Sequence, residues 1–299
     1  MKILICGANG QLGCELTRLI RQGHSEIGPI PEAYKQAQLV LTDVEELDIT
    51  NAPAVDAFFA EGAFDLVINC AAMTNVDGCE GNEDFAHRIN AQGAENLAVS
   101  GARYGAKVVY ISTDYVFAGD DPTDRVETDT PNPQSAYGRT KLDGELLVQQ
   151  ANPQHFIIRT AWLYGYVGKN FVKTIMGIAR DKGQIKVVDD QLGNPTSAND
   201  LAYEILKIAQ TDDYGIYHCT NKGTCSWFDF ASAIVDAAGI SCKKIPCSST
   251  EFVQAAKRPA FSSLRNKHLE DTLGDEMRPW QDALASFMER LPELGDVPV

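Results

Sequence analysis

The chain has 299 residues, 44% hydrophobic and 22% charged, the balance of a soluble globule with one large core or two smaller ones. With 41 acidic against 26 basic residues the formal charge is −15, which argues against a nucleic-acid backbone or an anionic membrane surface as partner. An anionic ligand then needs helix amino-termini and a few placed cations. The start, MKILICGANG, carries only a short apolar run before glycine, so it reads as a strand and not as a signal peptide. No apolar run approaches the roughly 18 residues that span a bilayer. The 8 cysteines are too dilute for a disulfide scaffold, and reduced thiols in a cytoplasmic protein are expected. His218, Cys219 and Cys225 lack a second ligand pair at zinc-like spacing, so no metal is expected there.

In chain order, strand and helix alternate: KILICG, the helix NGQLGCELTRLIRQ, QLVLT, the helix APAVDAFFAE, DLVINCAA, a long helix from Glu83 to Gly105, then KVVYIST. Short apolar runs rich in valine and isoleucine suit strands covered on both faces, and the amphipathic helices supply the cover. The pattern predicts an α/β fold, a Rossmann-type doubly wound parallel sheet. The strands HFIIRTAWLYG and IKVVDDQ flank the helix NFVKTIMGIARDK, and GPIPEAYKQAQ reads as a surface insertion. From about Gln191 the grain loosens: GIYHCT, the helix around SWFDFASAIVDAAG and KKIPCS lie farther apart. The expected division is a dinucleotide-binding domain over 1–165, with later segments returning to its sheet, and a small, mainly substrate-binding α/β lobe over 166–299.

Gly7, Gly10 and Gly13 follow the first strand at a helix start. The first glycine permits a tight turn, the second lets a pyrophosphate approach the backbone, and the third lets helix and strand pack closely. Free amides and the positive helix end then hold phosphates. Asp43 ends the second strand, where it can hold a ribose diol; a carboxylate there favours NADH over NADPH without excluding either. Asp48 and Ile49 can meet an adenine, although Asp48 could equally cap a helix. Ala71 and Ala72 allow close backbone approach, and Thr74 offers a hydroxyl at the cleft.

Ser112 and Thr113 end another strand at the same edge, and Ser135 can cap a helix carrying Tyr137 and Lys141 on one face. A lysine ammonium beside a phenol lowers its pKa from about 10 toward working pH. Tyr137 is then a usable acid for a carbonyl oxygen, with Thr113 donating a hydrogen bond as negative charge develops. Lys141 can also hold a nicotinamide ribose.

These features resemble the extended short-chain dehydrogenase/reductase family, and within it the dTDP-4-dehydrorhamnose reductases, over essentially the whole chain. The blocks that carry the resemblance are GANGQLG, VINCAAMTNVD, ISTDYVF, PQSAYGRTKLDGE, RTAWLYG, NFVKT, DQLGNPTS and KRPAFSSLRN. The resemblance implies a catalytic trio of Thr113, Tyr137 and Lys141. It also implies cofactor contacts from Gly10, Gln11, Leu12, Asp43, Asp48, Ile49, Ala72 and Thr74, and deoxysugar contacts from Asp114, Tyr115 and Trp162. The implied reaction sends a hydride from NADH or NADPH to the 4-keto carbon of a dTDP-deoxysugar. For the substrate's pyrophosphate, Lys257 and Arg258 are the candidate cations, with Asn170 and Lys173 toward the nucleotide. Some family members form a magnesium-bridged dimer; Glu15 matches one acid of that site, but Asn199 stands where another is expected. An amide is a poorer ligand for a hard cation, so no metal is expected, and monomer and homodimer stay open.

The competing expectations are another sugar-nucleotide reductase, an epimerase or dehydratase, or a non-catalytic dinucleotide-binding subunit resembling the regulatory subunit of methionine adenosyltransferase. Dehydratases of the family carry a second acid after Thr-Asp, whereas Tyr115 follows Asp114 here. A retired site is free to lose Thr113, Tyr137 and Lys141, and all three are present.

Overall fold

The computed structural model describes residues 1–252 and 254–295. Six strands form one wholly parallel sheet: β1 (Lys2–Cys6), β2 (Gln38–Thr42), β3 (Leu66–Asn69), β4 (Lys107–Thr113), β5 (His155–Thr160) and β6 (Gly215–His218). Their spatial order is β6-β5-β4-β3-β1-β2, so the chain turns back between β1 and β3. Ligands of such sheets bind outside the carboxyl ends at this switch point. The loops after β1, β3 and β4 open there.

Alternation along the strands sorts the core. Ile3 and Ile5 of β1 face α1 (Gln11–Gln22) and the helix Ala198–Ile208, together with Leu12, Leu16, Leu201 and Ile205. Leu4 and Cys6 face the other way, with Val55, Phe59 and Leu97 from the helices Ala52–Gly62 and Ala94–Tyr104. The two-faced cover is what the continuous apolar strands predicted. A separate hydrophobic cluster gathers around Tyr164, Val172, Ile185, Phe230 and Phe287.

Several expectations need correction. The long helix from Glu83 is α-helical over Glu83–His87, π-helical over Arg88–Gly93 and α-helical again from Ala94; a further short helix, Val76–Gly81, precedes it. The side-chain amide nitrogen of Asn90, inside the π turn, donates to Met73 O and Thr140 Oγ1, while the Asn90 backbone carbonyl accepts the Tyr110 hydroxyl; these tertiary demands outweigh helical regularity. HFIIRTAWLYG is not one strand: it breaks at Trp162, whose φ is +46°, and Leu163–Tyr164 instead pairs with Thr196–Ser197. The strand Gln184–Val188 lies outside the main sheet, paired in parallel with Lys243–Cys247. The insertion before β2 is not purely superficial: Ile30 and Tyr34 are buried, and the Tyr34 hydroxyl donates to Leu206 O at 2.9 Å. Two helices absent from the sequence reading, Ala198–Ile208 and Trp280–Leu294, complete the layers.

Candidate active site

Two contiguous cavities, sharing Gly10, Cys70 and Ala72, run along the carboxyl edge of the sheet. The first, about 390 Å³, takes in Gly7, Gly10, Asp43, Asp48, Ile49, Ala71 and Ala72. The second, about 540 Å³, takes in Gln11, Leu12, Gly13, Thr74, Thr113, Asp114, Tyr115, Tyr137, Lys141 and Trp162. The residues expected for catalysis and for the dinucleotide all line these cavities, as do Asp114, Tyr115 and Trp162, whereas Asn170, Lys173, Lys257 and Arg258 line neither.

The glycine loop has the geometry that the motif needs. Gly7 turns with φ +71°, and a Cβ there would lie 2.7 Å from Ala71 N. A Cβ on Gly13 would lie 2.4 Å from Gly7 O, so only glycine lets α1 pack this close to the strand end. Gly10 stands at the helix N-cap and offers no side-chain oxygen to the first-turn amides, which leaves them to a ligand's phosphates. Asp43 Oδ2 accepts from Asn9 N at 3.3 Å, tying the end of β2 to the loop. Asp48 accepts from Thr50 N and Thr50 Oγ1, at 2.9 and 2.7 Å, and so stabilises its own turn; the cap of the next helix is Asn51. Ile49 is buried against Gly93 while still lining the cavity. The sequence reading missed Val44, Phe85 and Ile89, which line the same end. A glycine cradle, an uncapped helix end and a carboxylate beside an apolar slot suit a dinucleotide's pyrophosphate, ribose and adenine.

Ser135 Oγ accepts from Gly138 N at 3.1 Å, capping the helix Ala136–Ala151 as expected. Gly138 lets this helix approach the β4 loop, since a Cβ there would lie 2.2 Å from Tyr115 O. Tyr137 consequently packs edge-on to Tyr115, with ring centroids 5.6 Å apart. Lys141 is buried; its Nζ donates to Ile111 O at 2.6 Å and lies 4.0 Å from the Tyr110 ring centroid. Burial pulls the lysine down to about 7, against the opposing pull of Glu145.

The expected lowering of the Tyr137 phenol is not what this structure holds. Burial pushes it well above its ordinary value of 10.0, and the Thr113 hydroxyl offsets only part of this. The Lys141 ammonium is directed to Ile111 O and the Tyr110 ring, so its charge is spent away from the phenol. Thr113 Oγ1 donates to Asp114 Oδ1 at 2.8 Å and accepts from Tyr115 N at 3.2 Å. Asp114 is buried, its Oδ2 has no hydrogen-bond partner, and burial raises its carboxyl to about 6.

The expected substrate cations stand differently. Asn170 is committed to structure: its Oδ1 accepts from Lys173 N, and its Nδ2 donates to Gln11 Oε1 and Gly165 O. It caps the helix Phe171–Lys182 and is not available to a nucleotide as expected. Gln11 is likewise engaged, its Oε1 also accepting from Gly165 N. Lys173 Nζ donates to Tyr166 O at 2.6 Å and is not among the residues lining the larger cavity. Lys257 is exposed. Arg258 pairs with Asp77 at 3.0 Å, while its Nη1 is buried without a partner and its charge is felt at Tyr115. Asp77 also accepts from Ala256 N at 2.9 Å, which straps this segment to the helix after β3. Glu15 accepts from Asn199 Nδ2 at 2.6 Å and is ion-paired with Arg18. Among the described residues no three His, Cys, Asp or Glu side chains converge as a metal site. No helix of the described residues is long and apolar enough to cross a membrane.

Comparison with known proteins covers nearly all of the chain. The Bacillus subtilis spore coat polysaccharide biosynthesis protein SpsK is 37% identical over 288 residues, spanning 96% of this chain and 97% of that one. The crystal structure of a dTDP-4-dehydrorhamnose reductase from Clostridium acetobutylicum is 48% identical, with TM-score 0.92 over 98% of this chain and 100% of its own. A dTDP-4-dehydrorhamnose reductase from Bacillus anthracis, solved in complex with NADP, is 40% identical, with TM-score 0.90 over 97% and 99%. The family model described as the RmlD substrate binding domain matches residues 1–292, and the chain belongs to that family.

Proposed function

We propose that this protein is an NAD(P)H-dependent oxidoreductase that reduces the 4-keto group of dTDP-4-dehydro-L-rhamnose to give dTDP-L-rhamnose. The observation that carries the reading is the convergence of Thr113, Tyr137 and Lys141 in one cavity with Gly10, Gln11 and Leu12 of the glycine loop. The bound nicotinamide supplies the hydride for the carbonyl carbon. Gly7, Gly10 and Gly13 would seat its pyrophosphate, Asp43 the adenosine ribose, and Asp48, Ile49, Ala71, Ala72 and Thr74 the flanking surfaces. Lys141 would hold the nicotinamide ribose.

Tyr137 donates the proton that the carbonyl oxygen takes up as it becomes a hydroxyl. A phenol held well above its ordinary value stays protonated until that oxygen becomes basic, which suits an acid. Thr113 sits within reach of both Tyr137 and Asp114, so its hydroxyl can turn from the Asp114 carboxylate to the developing oxyanion. Asp114, Tyr115 and Trp162 face the deoxysugar in this reading, and Arg258 Nη1 is the donor for the diphosphate. A dehydratase would need a further acid where Tyr115 stands, and a purely regulatory subunit would not need the trio.

In the same reading, residues 1–165 mainly hold the dinucleotide and 166–299 mainly hold the sugar nucleotide, although β6 returns to the sheet. The protein works in the cytoplasm as a monomer or homodimer, and with Glu15 bonded to Arg18 and Asn199 no bridging metal is invoked. Mixing the protein with NADH or NADPH and dTDP-4-dehydro-L-rhamnose tests the assignment. Oxidation of the reduced nicotinamide with formation of dTDP-L-rhamnose supports it, and no oxidation with either dinucleotide removes it.

A further inference from the structure

Two of the chain's 3 tryptophans, Trp162 and Trp227, line the larger cavity. They lie parallel, with ring centroids 3.5 Å and planes 7° apart. Trp162 comes from the loop after β5, and its φ of +46° is a backbone region that a bulky side chain adopts only at a cost. Such a conformation persists where its surroundings over-determine it, and three features do so here. Thr196 N donates to Trp162 O at 3.2 Å, pinning the backbone. Gly193 leaves room for the indole: a Cβ there would lie 2.7 Å from Trp162 Cε2 and 2.8 Å from Nε1. Trp227 covers a face of the ring.

Trp227 is itself fixed. It opens the helix Trp227–Ala237 behind a capping box in which Ser226 and Asp229 satisfy each other's backbone amides. Ser226 Oγ donates to Asp189 Oδ1 at 2.7 Å, and Phe171 packs on the Trp227 ring at 4.4 Å. A rigid indole thus backs a strained one at the wall of a cavity.

We propose that Trp227 and Gly193 are positioning residues, which hold Trp162 in its left-handed conformation and make the stacked indoles a specificity wall for the sugar end of a nucleotide sugar. The inference rests on the reductase reading for the identity of the ligand, and on the stack itself for the rest. Residues acting through one ring give non-additive effects.

The test uses Trp227→Ala, Trp227→Phe, Gly193→Ala and the Gly193→Ala/Trp227→Ala double variant of the full chain. KM for dTDP-4-dehydro-L-rhamnose and Kd for dTDP-L-rhamnose should rise about tenfold in Trp227→Ala and in Gly193→Ala. The double variant should be no worse than either, and Trp227→Phe should recover most of the loss. Dinucleotide Kd should stay within about twofold of wild type, which also reports folding. The exciton couplet of stacked indoles in far-ultraviolet circular dichroism should vanish in Trp227→Ala and weaken in Gly193→Ala. Unchanged KM and Kd despite a lost couplet would overturn the inference and leave the reductase reading standing. A wild type that binds dTDP-L-rhamnose without reducing the keto sugar would count against that reading, while the same tenfold Kd changes would still support the stack.

Discussion

The Lys141 ammonium donates a 2.6 Å hydrogen bond to the carbonyl oxygen of Ile111, two residues before Thr113 on β4. The helix that carries Tyr137 is thereby tied to the strand that carries Thr113. The tie is made by a buried charge, which is costly. Burial depresses the lysine from 10.5 to about 7, so the folded chain binds fewer protons than the unfolded chain between those values. The destabilisation is therefore full below pH 7 and fades as pH rises toward 10.5. Lys141→Met should raise stability by on the order of 2–4 kcal/mol at pH 6 and by much less near pH 10, read by urea denaturation at each pH. The same variant should lose turnover by about 100-fold or more and bind the dinucleotide more weakly.

Tyr137→Phe keeps the ring against Tyr115 and removes only the proton donor. Dinucleotide binding should be retained while turnover falls by roughly 10²–10⁴-fold. Thr113→Val should lose about 10²–10³-fold in kcat, from the missing donor to the developing oxyanion. Steady-state kinetics with dinucleotide fluorescence titration separates the two effects, and an undiminished rate in Tyr137→Phe would remove that residue from the proton-donor role.

Asp114 supplies a pH signature of opposite sign. Its carboxyl is raised from 3.8 to about 6, so its charge costs stability above pH 6 and the cost disappears as pH falls toward 3.8. Asp114→Asn retains an oxygen for the Thr113 hydroxyl. It should stabilise the fold by up to about 3 kcal/mol at pH 7.5–8 and by almost nothing at about pH 4, measured by denaturant titration. The same substitution should raise KM for the sugar nucleotide.

Asp43 lines the smaller cavity, where the proposed function puts the adenosine ribose. Its carboxylate repels a 2′-phosphate and can bond a 2′-hydroxyl. Asp43→Ser should shift the kcat/KM ratio toward NADPH by about tenfold, mostly through a weaker KM for NADH. A ratio that does not move would place the choice between dinucleotides elsewhere in the cavity.

Arg258 tests the substrate side. With one nitrogen on Asp77 and Nη1 buried without a partner, the guanidinium lacks an acceptor that an anion would provide. Arg258→Ala should raise KM for the sugar nucleotide by about 10–100-fold, and Arg258→Lys should recover little of it, with dinucleotide Kd unchanged in both.

Sequence patterns reached those parts of the site that are set locally. The glycine loop after β1, the Ser135 cap and the i, i+4 pair of Tyr137 and Lys141 each depend on neighbouring residues, and each stands as expected. What stayed hidden depends on partners far along the chain. The Trp162 kink is held by Gly193 and Trp227, and nothing within RTAWLYG announces a positive φ at tryptophan. The π turn at Asn90 answers to Met73, Tyr110 and Thr140. Asn170 looked available because its partners Gln11 and Gly165 cannot be foreseen from NFVKT. The lysine's effect on the phenol failed for the same reason: spacing put Lys141 on the correct face, but the carbonyl of Ile111 decided where its charge went.

The central claim is that Tyr137, supported by Thr113 and Lys141, gives the proton while a bound reduced nicotinamide gives the hydride to a 4-keto sugar nucleotide. Its most direct test is single-turnover reduction of dTDP-4-dehydro-L-rhamnose with NADH or NADPH dideuterated at nicotinamide carbon 4, followed by mass spectrometry of the sugar product. The account predicts one deuterium at carbon 4 of dTDP-L-rhamnose, formed roughly 10²–10⁴-fold more slowly in Tyr137→Phe. No deuterated product with either dinucleotide, or its formation at an undiminished rate by Tyr137→Phe, would contradict it.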